Sequence, residues 1–129
     1  MMVDKKTQAE LLRLDHYRIR RLVDSDFYDT LHATPGVSLV IFTSTGCASC
    51  RAWKEVLKQY LSTQPDLVVY EVDAHESMAL ANEYEIFHLP ALFLFRDGEF
   101  HCELNCEANQ ERIQQAIGRA LLGPAQEEP

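Results

Sequence analysis

The chain has 129 residues, of which 47% are hydrophobic and 25% charged, and its formal net charge is −8 at pH 7. This length predicts one domain that buries a core without help from metal ions or disulfides, which leaves the four cysteines free for chemistry. The acidic balance argues against a nucleic acid partner, because a phosphate backbone requires a basic face. The start lacks the apolar segment of a signal peptide, and no stretch reaches about 20 apolar residues, so we expect a cytoplasmic protein without membrane contact.

Apolar periodicity predicts strands and helices in alternation along the chain. A short helix is predicted at 4–14, ahead of the first strand. Near-continuous apolar runs are typical of strands buried on both faces, and segments with helical spacing separate them. After the leading helix, the predicted elements are a strand at 17–23, a helix at 25–33, a strand at 37–43, a helix at 53–61, a strand at 67–72, a helix at 76–84, strands at 91–95 and 99–104, and a helix at 113–121.

These elements predict an α/β fold with a mixed central sheet and helices on both faces. Strands joined through helices pair in parallel, whereas Asp97-Gly98 predicts a tight hairpin turn that adds an antiparallel edge. The last helix is expected to end at Gly123. We divide the chain into an N-terminal extension (1–16), one domain (17–123) and a flexible tail (124–129).

Cys47 and Cys50 lie where a predicted buried strand gives way to a helix, with two residues between them. In a reducing cytosol this spacing is more often catalytic or metal-binding than structural. From the spacing alone, a redox pair, half of a metal site and two inert thiols all stay open. A zinc site would require Cys102 and Cys106 to converge on the same ion.

Three segments together resemble the thioredoxin family: "TGCASC" (45–50), "VYEVDAHES" (69–77) and "EIFHLPALFLFRDGEF" (85–100). In that family a CxxC motif follows a buried strand, a neighbouring strand ends in an acidic residue, and a later segment carries a cis-proline and a glycine hairpin. The resemblance covers about residues 17–122. The combination of these segments is much more specific than a CxxC motif alone.

The chain departs from the best-known members of that family around the motif. Gly46 stands where they carry tryptophan, Ala48-Ser49 replaces Gly-Pro, and Ile41 replaces a buried acid. The proton relay that the resemblance implies is therefore missing, which predicts slow release of a mixed disulfide at neutral pH. The resemblance implies the fold more strongly than the substrate.

The resemblance implies a thioredoxin fold with an extra N-terminal helix, and a thiol–disulfide oxidoreductase that acts on protein substrates. A helix N-terminus favours a thiolate, so Cys47 is predicted to attack, and Cys50, one turn later and more buried, to resolve the mixed disulfide. A cis bond between Leu89 and Pro90 would position an extended substrate. Cys106 falls in a loop that borders the substrate face in the family, as a third thiol. The predicted substrate-binding residues are Gly46, Ala48, Ser49, Leu89, Pro90 and Cys106.

No bound cofactor or metal is implied, and electrons would come from a reductase or a small thiol. We expect a monomer. The thioredoxin-like plan keeps Cys102, on the edge strand, away from the motif, which counts against zinc. An alternative from another class is a thioredoxin-fold binding module or assembly chaperone with little turnover, which the departures around the motif favour.

Overall fold

The computed structural model describes residues 18–129, and these residues form five strands and four helices. The helix predicted at 4–14 lies outside the described residues. In chain order the elements are β1 (Arg20–Leu22), α1 (Phe27–His32), β2 (Val37–Thr43), α2 (Ala48–Leu61), β3 (Val68–Asp73), α3 (Met78–Glu83), β4 (Ala91–Arg96), β5 (Glu99–Leu104) and α4 (Gln110–Leu122).

The five strands form one sheet in the order β1-β3-β2-β4-β5. β3 lies between β1 and β2 and pairs in parallel with both. β4 pairs antiparallel with β2 and with β5. The predicted mixed sheet and the β4–β5 hairpin are confirmed. The expectation that strands joined through helices pair in parallel is wrong for β4, which follows α3 yet runs antiparallel to β2. The parallel pairing of β2 and β3 brings their carboxyl ends to the same edge.

The sheet separates two hydrophobic cores, because successive side chains of a strand point to opposite faces. Leu39 and Ile41 of β2 belong to the core that α2 and α4 cover. Val40 and Phe42 belong to the core on the other face, with side chains of α1 and α3. β2 is therefore buried on both faces, as its unbroken apolar run predicts, and this fixes the position of the segment that follows it.

The segment 124–129 makes hydrogen bonds to the rest of the molecule. The Gln126 N–H donates to the His101 carbonyl at 2.6 Å, and the Glu103 N–H donates to Gln126 Oε1 at 3.4 Å. The Tyr84 hydroxyl donates to Glu128 Oε1 at 2.8 Å. The physical reason is that β5 ends the sheet, so its outward backbone groups need partners from another segment.

Candidate active site

Cys47 occupies the junction between β2 and α2, where it is the N-cap residue of the helix. Its backbone is extended (φ −90°, ψ 106°), and its Sγ accepts a hydrogen bond from the Cys50 N–H at 3.1 Å. The Ser49 hydroxyl lies 3.4 Å from the same sulfur. The first N–H groups of a helix have no carbonyl partner within it and carry partial positive charge. The Cys47 sulfur therefore lies where negative charge is stabilised.

Cys47 and Cys50 are joined by a disulfide, with their Cα atoms 5.2 Å apart. The two residues differ in access, because Cys50 is only 1% exposed whereas Cys47 is partly exposed. Cys50 lies on the first turn of α2, on the side that packs against the protein. A dissolved thiol or disulfide can therefore reach the sulfur of Cys47 before that of Cys50.

An open groove of about 470 Å³ begins at Cys47. Gly46 and Cys47 line it together with Met78 and the segment 86–89, which leads into β4. The peptide bond between Leu89 and Pro90 is cis. The groove therefore extends from Cys47 to the residue that precedes Pro90.

The predicted substrate-binding residues have different positions around this groove. Gly46 and Leu89 line it. Ala48 and Ser49 are exposed on the first turn of α2, and Pro90 is partly buried at the start of β4. Cys106 lines neither this groove nor the cavity at Cys50, but a separate one with Arg112 and Ala116.

The family model for thioredoxin matches residues 18–119. The chain belongs to the thioredoxin family. Members of this family are thiol–disulfide oxidoreductases, and the thioredoxin domain of this chain has the cysteine pair that such exchange uses, joined as a disulfide. The fold is accordingly the thioredoxin fold, and residues 18–119 form a thiol–disulfide oxidoreductase domain of this type.

Named thioredoxins resemble the domain in sequence and in structure. Thioredoxin Y2, chloroplastic, of Arabidopsis thaliana is 33% identical over 98 residues, which cover 75% of this chain and 59% of that protein. A thioredoxin of Staphylococcus epidermidis is 32% identical over 82 residues, which cover 63% of this chain and 77% of that one. The oxidised form of mitochondrial thioredoxin 3 from Saccharomyces cerevisiae superposes with a TM-score of 0.68 at 22% identity, over 78% of this chain and 94% of that one. The chain thus spans about three fifths of its chloroplastic relative and most of the bacterial one.

A charged cluster that the sequence did not predict lies beside Cys50. Glu71 of β3 is buried, and its carboxylate accepts a hydrogen bond from the Thr43 hydroxyl at 2.7 Å and pairs with Lys54 of α2 at 2.9 Å. Arg21 of β1 lies 3.7 Å from the other carboxylate oxygen. These residues and Cys50 line one cavity of about 160 Å³. The one sign of this cluster in the sequence is an acid inside the apolar run 67–72. In the register of β2 and β3, Glu71 pairs with Ile41, the position where the resemblance implies a buried acid.

The pKa of Glu71 results from opposing effects. Burial raises this pKa, but the hydrogen bonds from Thr43 and Lys54 and the charges of Lys54 and Arg21 together outweigh burial, so it lies below its ordinary value. Glu71 is therefore ionised at neutral pH, and its charge is balanced by its two basic neighbours. The carboxylate of Glu71 is therefore paired, and Glu71 lines the same cavity as Cys50.

The two remaining cysteines of the thioredoxin domain are free thiols. Cys102 is buried in the core under α2 and α4, and burial raises its pKa. Cys106 is partly buried, and burial followed by the charge of Glu107 raises its pKa as well. Both thiols are therefore protonated near neutral pH and are weaker nucleophiles than a thiolate.

Among residues 18–129, no group of three or more His, Cys, Asp or Glu side chains is placed to hold a metal ion. None of the helices in that range is both long and apolar enough to cross a bilayer.

Proposed function

We propose that this protein exchanges disulfides with protein substrates in the cytoplasm, as a monomer without a bound cofactor. The observation that carries the proposal is the asymmetry of the cysteine pair. Cys47 is accessible, caps α2 and opens onto a groove, whereas Cys50 is buried behind it. The substrate can therefore react with the sulfur of Cys47, and the sulfur of Cys50 is left to attack the resulting mixed disulfide.

The reaction starts from the reduced protein and has two steps. The Cys47 thiolate attacks one sulfur of a substrate disulfide, forming a mixed disulfide and releasing the other substrate sulfur as a thiolate, which takes a proton from water. The Cys50 thiol then gives its proton to water, and its thiolate attacks the Cys47 sulfur. The Cys47–Cys50 disulfide forms, and the second substrate thiol leaves. An external dithiol or reductase returns two electrons to the pair.

The substrate contacts belong to the proposal as well. Leu89, before the cis bond to Pro90, supplies backbone groups that an extended substrate can pair with. Gly46 has no side chain to obstruct the approach to Cys47, and a Cβ built there has open space around it. Ala48 and Ser49 border the sulfur from the helix side. A substrate-side role of the Cys106 thiol stays a prediction, and the Cys106→Ser variant tests it in the assays below.

The reduction potential of the cysteine pair tests the proposed function. The protein is equilibrated in glutathione buffers, its thiols are trapped with an alkylating agent, and the intact chain is weighed. We expect a single two-electron transition between about −300 and −150 mV. Absence of any disulfide across that range would overturn the proposal.

Cysteine variants assign the two steps. Cys47→Ser should abolish the reduction of insulin disulfides, and Cys50→Ser should accumulate a mixed disulfide through Cys47. The Cys106→Ser variant tests the third thiol: slower insulin reduction than in the wild type would show that Cys106 takes part in the exchange. A wild-type protein that forms its disulfide but does not reduce insulin would instead favour the binding module.

A further inference from the structure

A second open cavity, of about 350 Å³, lies at the edge of the sheet opposite to Cys47. Val37, the first residue of β2, and Leu67, which precedes β3, line this cavity, whereas Cys47 follows the carboxyl end of β2. The other apolar walls are Tyr60 of α2 and Ile117 and Leu121 of α4. An apolar surface of this kind that is left open to solvent indicates a place where another segment or molecule packs.

The chain enters the described domain beside this cavity. β1 pairs in parallel with β3, so the start of β1 lies at the same edge of the sheet as Leu67. Ile19, one residue before β1, is partly buried and packs against the core under α2 and α4, to which Leu67 and Ile117 also belong. The chain that precedes Ile19 therefore arrives at the same edge and on the same face of the sheet as the cavity.

The residues that precede the described part include a group of leucines within reach of the cavity. Residues 1–17 contain Leu11, Leu12 and Leu14. Leu14 is five positions before Ile19, and an extended chain of that length spans about 17 Å. Neighbouring strands lie about 4.8 Å apart, so β2 is about 10 Å from β1 across β3. The leucines can therefore reach the cavity while β1 stays in place.

The charges of the two partners are complementary as well. Segment 4–14 contains three basic and two acidic residues, although the whole chain has a formal net charge of −8. Among the described residues that line the cavity, Asp66 alone is charged, and it is exposed at the rim. Arg13 lies between Leu12 and Leu14 in the sequence. Leucines that enter the cavity would thus bring a basic side chain to its acidic rim.

We propose that residues 11–14 of this chain dock into the cavity and cover its apolar walls, with Arg13 beside Asp66. The contact is stabilised because the leucines and the side chains of α2 and α4 leave water together. The N-terminal extension is then packed against the thioredoxin domain at the edge opposite to Cys47. The inference therefore goes beyond the proposed exchange function and does not depend on it.

Serine substitutions in the full-length protein test the docking. The combined variant Leu11→Ser, Leu12→Ser and Leu14→Ser should lower the urea midpoint by about 1 M, because burial of these side chains corresponds to a shift of that size. The same three changes are then made together with Leu121→Ser, which alters a cavity wall. Leu122→Ser is the matched control, because Leu122 neighbours Leu121 on α4 but is 90% exposed and lies outside the cavity lining.

The shift caused by the three leucine substitutions should fall at least about twofold in the Leu121→Ser background and stay unchanged in the Leu122→Ser background. Methyl NMR of the wild-type protein measures the contact directly. We expect nuclear Overhauser effects between leucine methyl groups of residues 11–14 and the ring of Tyr60, which lines the cavity.

Several outcomes would overturn the docking. One is a urea midpoint that the three leucine substitutions leave unchanged, and another is an equal shift in the Leu121→Ser and Leu122→Ser backgrounds, which would place the leucines elsewhere. Native mass spectrometry of the wild type identifies other occupants. A dimer that the leucine substitutions separate would show that the segment fills the cavity of a second copy, and a bound apolar molecule that Leu121→Ser releases would show a ligand site instead.

Discussion

Glu71 is a buried acidic residue that lines the same cavity as Cys50. Its side chain is 8% exposed, and it is held by Thr43, Lys54 and Arg21. Removing the charge leaves Lys54 without its carboxylate partner and Thr43 with a weaker acceptor. A hydrogen bond to a charged buried group contributes more than a neutral one at the surface.

We therefore expect Glu71→Gln to lower the free energy of unfolding at pH 7 by about 2 kcal/mol, measured by urea denaturation. Because the folded-state pKa of Glu71 is lowered, its contribution is present above the unfolded pKa, about 4.3, and is lost as pH falls through the folded value. The difference between wild type and variant should therefore shrink at acidic pH.

Glu55→Gln is the matched control for this prediction. Glu55 pairs with Lys58 on the same helix, but its side chain is 69% exposed, so the change should stay within about 0.5 kcal/mol. Equal losses of unfolding free energy in the two variants would contradict the prediction for Glu71. A difference between wild type and Glu71→Gln that grows as the pH is lowered would contradict it as well.

At the scale of the elements, the β4–β5 hairpin depends on Gly98. Its φ is +81°, which favours glycine, and a Cβ built there would lie 2.6 Å from the Leu31 carbonyl oxygen and 2.7 Å from His32 Cα. The turn that Asp97-Gly98 predicts is therefore also the place where the hairpin packs against the end of α1. Neither neighbour can move easily, since both atoms belong to the backbone.

Gly98→Ala should lower the free energy of unfolding by about 3 kcal/mol, from the left-handed backbone and the steric overlap together. Gly36→Ala is the matched control. Gly36 has a similar φ of +75°, but a Cβ there has no atom within 4 Å, so only about 1 kcal/mol should be lost. Urea denaturation of both variants measures the difference, and equal losses would show that the contact with α1 contributes nothing.

For the molecule as a whole, folding and the oxidation state of the cysteine pair are thermodynamically linked. The disulfide closes a short ring, because Cys47 and Cys50 are three positions apart. In the chain-entropy model, such a ring restricts the unfolded chain enough to stabilise the folded oxidised protein by about 2 kcal/mol. By thermodynamic linkage, the reduction potential of the pair must differ between the folded and the unfolded chain by the equivalent of this free energy.

We expect the oxidised protein to unfold at higher urea concentration than the reduced protein, with a free-energy difference of about 2 kcal/mol. Cys47→Ser cannot form the bond and should unfold identically with and without reductant. A reduced form that is the more stable of the two would contradict this prediction, and it would indicate a protein that oxidises its substrates rather than reducing them.

The order of the elements and the position of the cysteine pair follow from local features of the amino-acid sequence. Apolar periodicity and turn residues are local signals, so the buried strand before Cys47, the helix after it and the hairpin at Asp97-Gly98 were predictable. The family followed from the same segments.

Contacts between residues far apart in the chain were not predictable from such local features. The parallel register of β2 and β3 brings Glu71 beside Ile41 and close to Cys50, and the loop before Pro90 places Phe87 on the same groove as Cys47. Gln126 binds two backbone groups of β5, the His101 carbonyl and the Glu103 N–H. The physical reason is that periodicity predicts which side chains are buried but not which side chains they contact. Those contacts depend on strand order and register, which bring together segments far apart in the chain.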